Sequence, residues 1–443
     1  MIKSTSKKYF YLETYGCQMN KYDSELVAGI LEQAGYLPAP AREDADIVLV
    51  NTCSVREHAE VRALGRLSAL NELRKDRPHL ILGILGCVAQ RIGTQILAEK
   101  SFINLAVGPD DYRQLPLLLA QLAAHPGKQL VRTELSDFED YADIYPSRVQ
   151  GVSAWVAIMR GCNNFCAYCI VPYLRGRERS RPMRNILDEV RKLAAEGYKE
   201  VTLLGQNVNS YQTENLTFPD LLRAVSKISG IERIRFASSH PKDLSLRLIQ
   251  TIAAEENICK HIHLAVQAGS NKILRLMNRQ YTREHYLHVL EQARQLMPEV
   301  SFTTDIIVGF PGESEADFEE TLDLVKQARF DNAFTFKYCP RAGTRAAQLP
   351  ETVSEAEKQA RLERLIALQD QITLEINRAQ TGKVLPVLVE GPSKKSPFQY
   401  KGRTDTNKIV IFEKDSLRPG HLVPVKITAA EGHTLFGKPE AIN

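Results

Sequence analysis

The run Arg160-Gly161-Cys162-Asn163-Asn164-Phe165-Cys166-Ala167-Tyr168-Cys169 carries three cysteines with three and then two residues between them. It follows a strand-like segment at Ser153 to Met159. One tight loop bearing three thiolates can hold three irons of a cubane iron-sulfur cluster and leave the fourth iron without a protein ligand. Zinc also binds paired cysteines, but structural zinc takes four ligands, and this loop offers no fourth cysteine or nearby histidine. Beyond the loop a strand-then-helix rhythm continues through Glu200 to Leu204, Arg233 to Ala237, His261 to Val266, Ser301 to Val308 and Ala333 to Tyr338. Six such repeats predict a (β/α)6 partial TIM barrel with its active site at the carboxyl ends of the strands, and Cys162 follows the first of them.

A second trio lies upstream. Apolar runs at Tyr9 to Tyr15, Asp46 to Asn51 and Leu80 to Leu85 alternate with helical patterns at Ser24 to Ala34 and Glu57 to Arg74, which reads as an N-terminal α/β unit with a parallel sheet. Cys17, Cys53 and Cys87 each sit just past one of these strands, where such sheets place their functional crevice. Free cysteine also packs as a small hydrophobe, so three separate core thiols are the plain alternative to a second cluster. Glycine, threonine or asparagine beside each cysteine favours the cluster. Cys259 and Cys339 have no partners in sequence and read as structural.

The chain has 443 residues, 44% hydrophobic and 25% charged, a composition of folded multidomain proteins rather than disordered or membrane ones. Eight cysteines without a signal-peptide pattern point to metal or redox chemistry in the cytoplasm rather than to a disulfide framework. The net charge of +4 is unevenly spread: eleven Lys and Arg against six Asp and Glu from Arg378 onward give that part +5. The expected domains are 1–133, a linker at 134–150 marked by acidic and polar residues, a (β/α)6 domain at 151–380, and a small β-barrel at 381–443. A helical run from Ser354 to Gln380 precedes that barrel and stops at Thr381-Gly382.

Strand ends supply the rest of a cofactor pocket. Gly205 and Gln206 end one strand, Gly309 and Gly312 another, and Gln267 stands at the end of a third, with His263 nearby as a core residue. Glycines there would let a flat base approach the backbone, though each run alone could be an ordinary turn. In the tail, Lys394, Lys395, Lys401, Arg403 and Lys408 interleave with Phe398 and Tyr400, a pattern for phosphate neutralisation and base stacking that a solvated charged surface would share.

Together these residues resemble the radical S-adenosylmethionine methylthiotransferases over almost the whole chain, ending in a TRAM barrel. Gln206-Asn207-Val208-Asn209-Ser210-Tyr211 and Gly391-Pro392-Ser393-Lys394-Lys395-Ser396 look like the MiaB branch, which acts on tRNA. The resemblance implies two 4Fe-4S clusters. One, on Cys162, Cys166 and Cys169, would bind S-adenosylmethionine and generate a radical. The other, auxiliary, on Cys17, Cys53 and Cys87, would present sulfur. It implies cofactor contacts from Tyr168, Gly205, Gln206, Gln267, Gly309 and Gly312, and methylthiolation of C2 of N6-isopentenyladenosine just 3′ of the anticodon. The expected partners are the tRNA anticodon stem-loop and a reductant such as flavodoxin or ferredoxin, with no membrane and with the protein a monomer. The chain departs from the family at Ala265 and Ala268, where proline and serine are usual. Related branches modify threonylcarbamoyladenosine or a ribosomal-protein aspartate, and a non-catalytic RNA-binding protein holding zinc is the rival from another class.

Overall fold

The computed structural model describes residues 8–54, 57–149, 151–414 and 417–440, so the start from Met1 to Lys7 lies outside the described residues. The chain divides into two compact units. One comprises the described part of residues 1–150 with 159–163 and 169–185; the other comprises 151–158, 164–168 and the described part of 186–443.

In the first unit β1 (Tyr9–Tyr15), β2 (Leu37–Pro38), β3 (Ile47–Thr52), β4 (Ile81–Gly86), β5 (Leu105–Val107) and β6 (Leu130–Arg132) form a parallel sheet in the order β2-β1-β3-β4-β5-β6. Every residue of β3 and β4 is buried, as continuous apolar strands between two helical layers must be. Helix α1 (Gln18–Gln33) lays Leu26, Val27, Ile30 and Leu31 on one face of the sheet, joined by Leu115, Leu119 and Leu122 of α4 (Leu115–Ala124). Ala63 and Leu67 of α2 (Glu57–Leu70) and Val88, Ile96 and Leu97 of α3 (Cys87–Glu99) cover the other.

Residues 134–149, read from sequence as a linker, are part of this unit. Tyr141 is fully buried, its hydroxyl donates to Pro109 O at 3.0 Å and accepts from the Tyr112 amide, and Ser147 N donates to Glu25 O. Two of the acidic residues that marked the segment, Glu139 and Asp143, pair with Arg113.

The second unit holds β7 (Ser153–Ala157), β8 (Glu200–Leu204), β9 (Arg233–Phe236), β10 (His261–His263), β11 (Ser301–Val308) and β12 (Asn332–Lys337). They pair as two parallel three-stranded sheets, β7-β8-β9 and β10-β11-β12, and the bridges Ile234 to Ile258 and Ser239 to Leu264 join them into a (β/α)6 partial barrel. A long helix, Glu355–Arg378, starts on a Ser354/Glu357 capping box and leads to the terminal domain.

That domain is a closed barrel of β13 (Val384–Pro392), β14 (Gln399–Thr404), β15 (Ile409–Glu413), β16 (Leu422–Glu431) and β17 (Thr434–Pro439), packed on Val389, Val410, Val425 and Leu435. Its 403–408 segment is bolted to the amino ends of the partial-barrel strands. Arg235 donates to Thr404 O at 2.6 Å and Asp405 O at 3.0 Å, Arg233 to Pro386 O at 2.7 Å, and Ser301 to Thr406 O at 2.8 Å. The carboxyl ends, where chemistry is expected, stay clear of these bonds.

Candidate functional site

The dispersed trio is brought together by register. Tyr15 of β1 pairs with Thr52 of β3, which pairs with Gly86 of β4, so the chain leaves three adjacent strands at one level and delivers Cys17, Cys53 and Cys87 there. Cys17 caps α1, and Cys87 opens α3. Two glycines make room. Gly16 has φ +131° and a Cβ on it would stand 2.3 Å from Cys53 Cβ; Gly86 has φ +85° and a Cβ would meet Asn51 Oδ1 at 2.3 Å.

Beneath the cysteines lies a buried amide lattice. Asn20 Nδ2 donates to Asn51 Oδ1 and Thr52 O, each at 3.0 Å, and Asn51 Nδ2 returns a bond to Asn20 O at 2.9 Å. A hydrogen bond from Cys53 pulls the Cys17 thiol down to about 6 against the opposing effect of burial, helped by the charge of Arg175 and by Asn20. Cys87, wholly enclosed, is pushed up by burial and partly relieved by Arg175. Among the described residues no three Cys, His, Asp or Glu side chains are gathered closely enough for a single metal ion. Donors to different irons of one cube stand farther apart than donors to one ion.

Of the contiguous trio, Cys162 and Cys169 fall in the first unit and Cys166 in the second. Within the first unit, Cys162 N donates to Gly176 O at 3.2 Å. The short helix α5 (Val171–Arg175) follows Cys169, and Cys87 packs with its Leu174 and with Ile170. In the second unit Arg279, almost fully buried, donates to Cys166 Sγ at 3.3 Å and to Ala265 O at 2.6 Å. Tyr168 and Cys166 both bear electrostatically on that guanidinium.

The strand ends treat their candidate residues unequally. Gly205 and Gln206 follow β8, and Gln206 Oε1 is buried with no hydrogen-bond partner; Ser239 Oγ, past the neighbouring β9, is likewise unpartnered. Asn207 and Asn209 instead serve the fold, bonding Asp243 and His240. Gln267, at φ +70°, ties its backbone to Asp305 and Ile307. The glycines of the next strand end are not open to a flat base on the side where a side chain would stand. Lys358 Cγ lies 2.3 Å from where a Gly309 Cβ would be, Leu276 Cδ1 lies 3.3 Å from that of Gly312, and their N–H groups go to Glu313 and Thr352. His263 is only partly buried, between Thr303 and Asp305. Cys259 is buried, but Cys339 is exposed and so is no core thiol.

In the terminal barrel the basic residues divide. Lys394 and Lys395 are exposed in the loop before β14, next to Phe398 at 80% exposure. Lys401 and Arg403 share Glu390, at 2.7 and 2.8 Å, which cancels part of their charge. Lys408, expected to meet RNA, has a side chain 9% exposed and an ammonium bound to Asp331 and Asn377. Tyr400 is buried in the barrel core rather than offered for stacking. Both belong to β14 or its turn, a strand that the charge pattern concealed.

Two arginines escaped the sequence reading: Arg279, hydrogen-bonded to Cys166, and Arg175, whose charge acts on Cys17 and Cys87. Arg279 lies 113 residues from Cys166, and nothing local in Met277-Asn278-Arg279-Gln280 signals the contact.

Residues 156–325 match the model of the Radical SAM superfamily, 9–108 that of the Uncharacterized protein family UPF0004, and 378–439 the TRAM domain. In the solved structure of the radical S-adenosylmethionine methyltransferase TsrM from Kitasatospora setae, 77% of each chain aligns with a TM-score of 0.59 at 14% identity, a likeness of fold. Fold and site together define a radical S-adenosylmethionine enzyme, a class that works with a 4Fe-4S cluster and S-adenosylmethionine. The chain is 48% identical to the tRNA-2-methylthio-N(6)-dimethylallyladenosine synthase of Desulforamulus reducens, over 98% of this chain and 96% of that protein. To the enzymes of the same name from Thermoanaerobacter pseudethanolicus and Moorella thermoacetica it is 50% and 46% identical, over 97% and 99% of this chain and 92% and 99% of theirs. It belongs to the tRNA-2-methylthio-N(6)-dimethylallyladenosine synthase family.

The residues present fit the cofactors this implies. A lowered thiol at Cys17, a guanidinium on Cys166 Sγ, and orphaned acceptors at Gln206 and Ser239 are what thiolate ligation and a polar ligand at the strand ends would use.

Proposed function

We propose that this protein methylthiolates C2 of N6-dimethylallyladenosine in tRNA. Cys162, Cys166 and Cys169 would hold one 4Fe-4S cluster, and Cys17, Cys53 and Cys87 a second. Bound there, the clusters and S-adenosylmethionine supply reductive cleavage of a sulfonium, hydrogen abstraction from an unactivated ring carbon, and a sulfur carrier. The single observation that carries the reading is the register that delivers the three dispersed cysteines from adjacent strand ends in a chain nearly half identical to the family over its length.

The chain's own residues then have separate tasks. Asn20 and Asn51 hold the Cys17 and Cys53 turns against each other from below. Arg279 fixes Cys166 through the Ala265 carbonyl, which needs no side chain at residue 265. Gln206 and Ser239 have acceptors to offer a polar ligand, whereas Gly309 and Gly312 shape the protein's own packing. Lys394, Lys395 and Phe398 form the exposed basic and aromatic edge of the barrel, suited to RNA phosphates and bases. Lys401 and Arg403 contribute through the charge that Glu390 leaves them. The relatives' printed name favours the dimethylallyl substrate over threonylcarbamoyladenosine or a protein aspartate.

The test is anaerobic turnover with isopentenylated and unmodified tRNA, following both 5′-deoxyadenosine and the methylthio nucleoside, with iron analysis of the same sample. Product from the isopentenylated tRNA alone and about eight irons per chain are expected for two cubanes. Zinc in place of iron, or product from the unmodified tRNA, would overturn it.

A further inference from the structure

Asp23 of α1 is fully buried and binds two arginines of its own unit: Oδ1 accepts from Arg160 Nη2 at 2.6 Å and Oδ2 from Arg175 Nη2 at 2.7 Å. Both guanidiniums are buried, and each keeps Nη1 without a hydrogen-bond partner. A buried cation with an unspent donor is costly unless something else receives that donor. The two differ in their surroundings. Arg160 lies over the Tyr141 ring, 4.6 Å from its centroid. Arg175 ends the helix whose Leu174 packs on Cys87, and its charge acts on both Cys17 and Cys87.

We propose that Arg175 is a positioning residue for the auxiliary cluster, held by Asp23 so that Nη1 donates to the Cys87 thiolate or to a cluster sulfide and sets the cluster's reduction potential. The inference rests on the reading of Cys17, Cys53 and Cys87 as cluster ligands. Reduction adds one negative charge to a cluster, and a nearby cation with a donated hydrogen bond stabilises that charge, so the potential rises. Arg175 also stands six residues after Cys169 in the same compact unit. One short segment thus carries ligands of one trio and a charge for the other.

The bland account, in which Arg175 merely completes an ion pair with Asp23, makes a different prediction, because Arg160 completes the same pair from the other side. The experiment uses the full chain with Cys162, Cys166 and Cys169 all changed to alanine, so that only the auxiliary trio can load. After anaerobic reconstitution, iron is counted and the midpoint potential is read by EPR-monitored titration in the parent and in Arg175→Met, Arg175→Lys and Arg160→Met. Expected are about four irons in each, a lower midpoint and altered EPR signal in Arg175→Met, and a parental midpoint in Arg160→Met. Arg175→Lys keeps the charge but not the two-pronged donor, so it should fall between. A parental midpoint in Arg175→Met, or equal shifts in the two Met variants, would overturn the inference. Should Arg175→Met not fold, the lysine variant decides: a shift supports the role and a parental midpoint ends it. Absence of iron from the parent would instead defeat the second-cluster reading and the inference with it.

Discussion

The two cysteine trios are assembled by opposite routes. Cys162, Cys166 and Cys169 are neighbours in sequence, and their loop needs only a strand before it. Cys17, Cys53 and Cys87 are 36 and then 34 residues apart, and meet only because β1, β3 and β4 are adjacent and in register. The contiguous trio is therefore brought close by its spacing along the chain, with Arg279 reaching Cys166 from 113 residues away, and the dispersed one by a whole folded sheet. A local defect should silence the first, whereas anything that shifts the sheet edge should silence the second. The contrast predicts separable failures.

The largest effect belongs to the dispersed trio. Cys87→Ala should abolish methylthio product while reductive cleavage of S-adenosylmethionine persists near its original rate, since the contiguous trio keeps all three ligands. Anaerobic assay of 5′-deoxyadenosine alongside tRNA nucleoside mass spectrometry reads both. Normal product from that variant would merge the two sites into one and destroy the comparison.

Next comes Gly86→Ala, which tests whether register really places the dispersed cysteines. Its backbone is one that side chains avoid, and strain alone costs about 1–3 kcal/mol, before the clash with Asn51 Oδ1 and Thr52 O is counted. The expected result is loss of roughly half of about eight irons with a lower unfolding temperature. Full iron at both sites would show that the sheet edge tolerates what the Asn20 and Asn51 lattice forbids. In the contiguous trio the matching probe is Arg279→Met, which removes the donor on Cys166. It should slow reductive cleavage roughly ten- to a hundred-fold, about 1.5–3 kcal/mol for one hydrogen bond to a charged group, and leave the auxiliary iron in place.

How much of this was legible in sequence follows the same division. Spacing alone announced the Cys162 loop. Alternating strand and helix patterns were enough for β1, β3, β4 and the six strands of the partial barrel, and β3 and β4, buried along their whole length, write the clearest apolar runs. The short strands β5 and β6, three residues each, were not read, whereas β10, of the same length, was read as part of the longer stretch His261 to Val266. Arg175, Arg279 and Asp23 were invisible for another reason: a buried charge looks like a surface charge until its partner is located, and these partners lie 152 and 113 residues away. Tyr141 and Ile144 were hidden among acids that suggested a linker. Strand β14 is the sharpest case, since Lys401 and Arg403 read as a basic surface pattern while Tyr400, Gly402 and Thr404, which alternate with them, are buried.

That strand yields the smallest expected effect and the finest comparison, between basic residues that look alike in sequence. Lys394 and Lys395 are exposed with Phe398 beside them, whereas Lys408 is tied to Asp331 and Asn377 under the partial barrel. Each phosphate contact contributes about 0.7–0.9 to the slope of log affinity against log salt. Replacing Lys394 and Lys395 together by alanine should therefore weaken tRNA binding and lower that slope by up to about 2. Lys408→Ala should leave the slope unchanged and instead lower the unfolding temperature, because Asp331 loses a buried cation. A filter-binding series across salt concentrations measures both. Equal slope changes in the two variants would mean that Lys408 leaves its carboxylate to meet RNA, and that the bolt between the barrel and the strand ends opens when tRNA binds.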